Sequence, residues 1–164
     1  PTPREHLNAV SAGPYIYVLG GRASGVSYTA LERYDPVLDE WTIMTPMANA
    51  RAAMVMAPWG SKIYCAGGET PMLFDVNEVY DILTDTWSLD TEMAIPRHGI
   101  AGVTLESGVF APAGGVIQGL MPTNAVDLFV PDGSAADIGG GPGVNAVDVQ
   151  LAINALLGLD TGPV

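Results

Sequence analysis

The chain repeats itself, and this limits its fold more than anything else in it. A period of about 40–50 residues marks a supersecondary unit that buries its core only by stacking on its neighbours. The double glycines Gly20-Gly21, Gly67-Gly68 and Gly114-Gly115 stand 47 and 47 apart. Arg4, Arg51 and Arg97 step by 47 and 46, and so do Tyr17, Tyr64 and Phe110, which precede the glycine pairs. A second aromatic column holds Tyr34, Tyr80 and Phe129, and Trp41 and Trp87 match at 46. Several independent columns in one register make chance a poor explanation.

Each column has a physical reading. Ile16-Tyr17-Val18 and Ile63-Tyr64-Cys65 are short β-rich runs stopped by glycine, so they read as strands. Gly13 and Gly60 turn a hairpin before each. Leu31 to Tyr34 and Glu78 to Tyr80 form a third strand, ended by turns at Asp35-Pro36 and Asp81. Trp41 and Trp87 hold a fourth. Four strands in roughly 45 residues is the arithmetic of a β-propeller blade.

The pattern Arg…Tyr-x-x-Gly-Gly…Glu-x-Tyr-Asp…Trp resembles the kelch repeat. Its fullest copies run from Arg4 to Trp41 and from Arg51 to Trp87, and the match covers residues 3–131. The expected fold is all-β: three four-stranded kelch-type blades of a partial propeller, with a short C-terminal helix. The third copy departs from the pattern. Its arginine-to-glycine spacing is 17 rather than 16, with an extra residue beside Pro112, and no tryptophan follows Phe129. A bulged or edge strand and a missing outer strand are expected there. Closed propellers use ~4–8 blades, so three blades read as a fragment of a longer protein or as an arc whose exposed faces self-associate.

The expected domains are kelch repeats over 1–131, a Gly/Pro linker over 132–143 and a helical tail over 144–164. Asp137 to Asp148 is twelve residues long, and the helix-like run 146–157 after it places Val147, Leu151 and Ala155 at i, i+4 and i+8. The tail resembles one half of a dockerin, an EF-hand-like module. That likeness puts Asp137, Asn145 and Asp148 at calcium-loop positions 1, 9 and 12. Gly139 and Gly141 offer no side-chain oxygen and Pro142 replaces the usual glycine, so weak or no calcium binding is expected and no other cofactor. The alternative is a plain amphipathic helix that caps the arc.

Composition excludes several function classes. Six basic residues against 18 acidic ones give a net charge of −12, and no Lys or Arg follows Arg97. That is the wrong sign for tracking nucleic-acid phosphates or an anionic membrane, and no apolar run is long enough for insertion. One cysteine, Cys65, rules out an intrachain disulfide and reads as a small buried hydrophobe. Two histidines and no HExxH, CxxC, P-loop or Gly-x-Ser-x-Gly leave no catalytic constellation.

The expected role is therefore a non-enzymatic module that binds a protein or glycan partner through its blade loops, on a secreted or cell-surface bacterial protein. A fragment of a kelch-fold sugar-acting enzyme and an intracellular (cytoplasmic) substrate adaptor are the alternatives. The kelch resemblance implies that the arginine strand lines a central channel. Arg4, Arg51 and Arg97, with His98 beside the last, then form an anion or acidic-peptide site, since guanidinium forks onto carboxylates. The competing reading has each arginine bracing its blade.

Overall fold

The computed structural model describes residues 1–130. Within them every regular element is a β-strand. The 146–157 helix, the linker and tail boundaries, and the calcium positions Asp137, Asn145 and Asp148 lie outside the described residues.

The first blade is built from β1 (Asn8–Ala12), β2 (Tyr15–Leu19), β5 (Leu31–Asp35) and β6 (Glu40–Met44), paired in that order and antiparallel throughout. A small hairpin, β3 (Arg22–Ala23) with β4 (Val26–Ser27), sits in the connection from β2 to β5. The second blade repeats the plan with β7 (Ala57–Trp59), β8 (Lys62–Ala66), β9 (Asn77–Asp81) and β10 (Thr86–Asp90). Gly13 and Gly60 turn the first hairpins with φ of 59° each, a left-handed conformation that glycine adopts without a Cβ penalty.

The third blade has three strands among the described residues: β11 (Val103–Leu105), β12 (Gly108–Pro112) and β15 (Val126–Phe129). A second small hairpin, β13 (Gly115–Ile117) with β14 (Leu120–Pro122), fills its β12–β15 connection. The outer strand that Trp41 and Trp87 occupy elsewhere has no counterpart among these residues, as the sequence departure implies.

The bulge expected at Pro112 is a correction. Gly21 N–H donates to Arg51 O, Gly68 N–H donates to Arg97 O, and the next residues, Arg22, Glu69 and Gly115, each close a bridge to the residue following a repeat arginine. By that pattern the structural equivalent of Gly20-Gly21 and Gly67-Gly68 is Ala113-Gly114, not Gly114-Gly115. Backbone angles agree: φ is 60°, 66° and 55° at Gly20, Gly67 and Ala113, then 90°, 108° and 106° at the residues after them. The arginine-to-pair spacing is 16 in all three blades and β12 has no extra residue. Pro112 is tolerated because Ala113 N–H already faces β15, donating to Ala125 O. The Pro112 nitrogen then faces the other side, where β11 ends opposite Phe110.

Alternation decides what each face buries. Tyr17, Leu19 and Leu31 of the first blade meet Ile63, Cys65 and Tyr80 of the second, with Met47, Met54 and Met56 filling the seam. Tyr64, Ala66 and Val79 meet Val109, Ala111 and Phe129 of the third, with Met93 in the gap. Fully burying one large apolar side chain contributes about 1.5–3 kcal/mol, so these two seams join the blades. Cys65 is buried as expected, and burial pushes its thiol up to about 12.

Candidate binding face

The repeat arginines are internal. Arg51 is 0% exposed. Its Nε donates to Gly67 O (2.8 Å), Nη2 to Cys65 O (2.8 Å) and Nη1 to Asn49 O (3.1 Å) and to the Glu78 carboxylate. Glu78 in turn accepts from Ala48 N–H at 2.8 Å. Arg4 reaches Glu32 at 2.7 Å, and Arg97 reaches Asp127 at 2.6 Å and Ala111 O at 3.1 Å. Burial works to raise the Glu32 carboxyl, but Arg4 and both Thr2 donors outweigh it and hold it below its ordinary 4.5.

Each guanidinium is thus engaged by a carboxylate of its own blade, the arrangement that the bracing reading of Arg4, Arg51 and Arg97 requires, rather than left open toward a channel. An incoming anion would meet cations already neutralised and desolvated. The acidic partners Glu32, Glu78 and Asp127 were not read as such from the sequence. Their signal was there, a carboxylate 28, 27 and 30 residues after each arginine and two before each second-column aromatic.

His98 parts company with Arg97. It lies at the end of the blades where the β2–β5, β8–β9 and β12–β15 connections gather. The residues following the arginines, Glu5, Ala52 and His98, bridge to Arg22, Glu69 and Gly115 there. Backbone bonds tie neighbouring blades at the same level: Ala53 N–H donates to His6 O and Gly99 N–H to Ala53 O.

A chain of charge runs across this end. Arg22 contacts Glu5 (3.4 Å) and His6 Nε2 (3.3 Å) within its own blade and reaches across to Glu69 (3.3 Å) and Thr70 Oγ1 (3.1 Å). The other Glu69 oxygen lies 3.5 Å from His98 Nδ1. Nε2 of His98 is 3.0 Å from Ile117 O and 3.2 Å from Gly119 N. A charged His98 donates to both Glu69 and Ile117 O. A neutral ring protonated on Nδ1 instead accepts from Gly119 N–H. Glu69 is buried, so it is the hinge of the network; Glu5 is exposed and adds little.

Two adjoining depressions flank this chain. One, of about 410 Å³, is lined by His98, Gly114, Gly115, Leu120 and Pro122. The other, about 340 Å³, is lined by Arg22, Glu69, Thr70, Pro71 and Gln118, and Gly119 lines both. The second of these draws side chains from all three blades. Among the described residues no group of three or more His, Cys, Asp or Glu is placed to hold a metal ion.

A family model of the kelch motif matches residues 3–48 and 50–94, the first two blades. The chain belongs to the kelch-repeat family. It is 32% identical over 139 residues to the kelch-like protein terF of Aspergillus terreus, covering 80% of this chain and 30% of that protein. Alpha-scruin of Limulus polyphemus is 31% identical over 145 residues, with 80% of this chain and 16% of scruin covered. Kelch-like protein 34 of Homo sapiens is 30% identical over 130 residues, with 70% and 20% covered. The kelch chain described here spans less than a third of the length of these relatives.

Proposed function

We propose that this kelch segment is a non-enzymatic, protein-binding scaffold and that the partner docks on the loop end of the blades. The observation that carries this reading is the depression lined from three blades by Arg22, Glu69 and Gln118, adjoined at Gly119 by the one that His98 lines. Rigid strands position it and connections supply its side chains, the usual division of labour between scaffold and site. Alternating cation, carboxylate and imidazole beside the apolar Leu120 and Pro122 suit an extended peptide that offers both charge and apolar anchors.

The test is selection of a displayed random-peptide library on the full chain, followed by NMR mapping of a selected peptide. Shifts should concentrate at Arg22, Glu69, His98 and Gly119, and Arg22→Glu should weaken binding ~10-fold or more, the scale of 1.4 kcal/mol, without changing the fold. Shifts confined to the opposite end of the blades, or an indifferent Arg22→Glu, would overturn the proposal.

A further inference from the structure

One nitrogen of His98 faces two backbone groups that make opposite demands on it. Ile117 O lies 3.0 Å from Nε2 and Gly119 N lies 3.2 Å from it, both where β13 turns into β14. Nε2 cannot serve both. With a proton it donates to the carbonyl; without one it accepts from the N–H. The ring is also held in place. His98 and Gly115 exchange two backbone hydrogen bonds, at 3.1 and 2.9 Å. A Cβ on Gly115 would lie 2.6 Å from Nε2, so the imidazole lies directly against β13.

The other nitrogen decides which neutral form is present. Nδ1 lies 3.5 Å from Glu69 Oε2. A neutral ring protonated on Nε2 would turn the Nδ1 lone pair onto that carboxylate. The neutral proton therefore belongs on Nδ1, and Nε2 is bare and holds Gly119 N–H. Charging the ring then adds a proton at Nε2 alone. Glu69 is buried and is shared with Arg22 at 3.3 Å. Arg22 in turn meets His6 at 3.3 Å and Glu5 at 3.4 Å. On the turn side, Ile117, Gln118, Gly119 and Leu120 carry no titratable group. The neighbouring Arg97 is turned away, paired with Asp127 inside its blade.

We propose that His98 is a proton switch in the β13–β14 turn: when the ring charges, Nε2 changes partner from Gly119 N–H to Ile117 O and sets that N–H free. Gly119 lines both depressions, so the freed donor appears where they join. The neutral state keeps this N–H occupied and offers an incoming chain nothing there. The charged state offers a donor beside a cation, which suits a carbonyl or carboxylate oxygen. The strands of the blades take no part in the change. One proton thus alters the chemistry of the loop end without altering the scaffold under it.

The experiment is an NMR titration of the full chain without a partner, from about pH 8 to pH 5, the interval in which an imidazole ordinarily gains its proton. At the alkaline end the ring nitrogen signals should show Nδ1 protonated and Nε2 bare. The Gly119 amide should then move with the same midpoint as the His98 ring. Its exchange protection, corrected for the intrinsic effect of pH, should fall ~3–10-fold, the range of one ordinary hydrogen bond, while residues 62–66 of β8 stay protected. His98→Gln should leave the Gly119 amide insensitive over the same interval. Should that variant fold poorly, His6 supplies the control within the wild type. It is exposed on the first blade, and Gly119 should not follow its midpoint. A Gly119 amide indifferent to pH, one that follows His6, or a neutral ring protonated on Nε2 overturns the proposal. The switch is read in the free chain, so its failure and a failure of peptide docking are separate results.

Discussion

Arg51 in the second blade and Arg97 in the third hold the same place in the repeat but not the same bonds. Arg51 donates from all three guanidinium nitrogens, to three carbonyls and Glu78. Arg97 donates from Nη2 alone, to Ala111 O and Asp127, and its Nε and Nη1 have no partner among the described residues. The acid is one methylene shorter in the third blade. The carbonyl that serves Arg51 Nε belongs to Gly67, whose counterpart is Ala113 beside Pro112. A motif repeated in sequence is therefore not repeated in strength. It is complete where described blades press on both sides and partial in the third blade, the last among the described residues.

The largest expected effect breaks that comparison outright. Removing one member of a buried ion pair costs about 3–5 kcal/mol, because the other charge is stranded. Total stability is only about 5–15 kcal/mol. Arg51→Ala should strand Glu78 and lower the thermal midpoint by roughly 10–20 °C at the few degrees per kcal/mol usual for this size. Arg97→Ala removes fewer bonds and should cost about half as much. Thermal melts followed by circular dichroism would measure both; an equal or reversed order would remove the distinction between inner and terminal blades. Unchanged melting of the double variant would refute bracing altogether.

A smaller effect sharpens the same contrast through the backbone. Gly20→Ala would place a methyl 2.3 Å from Met54 Cε and 2.6 Å from Arg51 O, at φ of 60°. Overpacking of this kind costs about 1–3 kcal/mol, and a Cβ at positive φ adds to it. Ala113→Gly relieves the same backbone conformation where no described blade presses in, so urea midpoints should fall for Gly20→Ala and stay within about 1 kcal/mol of wild type for Ala113→Gly. A large loss in Ala113→Gly would mean its methyl is packed, and the contrast with Gly20 would fail.

Much of the fold was legible because strands and turns write themselves locally. Tyr17, Tyr64, Gly13, Gly60 and the two tryptophans each act within their own hairpin, so period and residue type were enough. The acidic partners of the arginines were visible as letters but not as partners, since residues 27–30 apart meet only after two strands have paired. The third glycine pair misled for a related reason. Ala113 takes the glycine conformation without being glycine, and among the described residues no following arginine carbonyl presses on it as Arg51 O and Arg97 O press on Gly20 and Gly67. The binding face was the least legible part. Arg22 and Glu69 share one repeat position, 47 residues apart and just after their glycine pairs, but it holds a different residue type in each blade, and His98 belongs to another column, the residue after each arginine, so no recurring residue type marks the site.

The smallest expected effect concerns the first described blade, where Arg4 and Glu32 form the pair. Glu32 titrates below its ordinary 4.5 because donors from Arg4 and Thr2 outweigh burial. A carboxyl with a lowered folded pKa binds a proton more readily in the unfolded chain. Its stabilisation is therefore fully present above the unfolded value and is lost as pH falls through the folded one. Chemical denaturation from pH 6 down to pH 3 should show stability declining below about 4.5, and Glu32→Gln should flatten part of that decline. Its loss at neutral pH should be smaller than that of Arg51→Ala, because glutamine still accepts from Thr2 and Arg4 and leaves no bare carboxylate behind. If Glu32→Gln leaves the acid limb unchanged, the pair contributes nothing that depends on charge. The first blade would then be held by its strands and its apolar seam with the second.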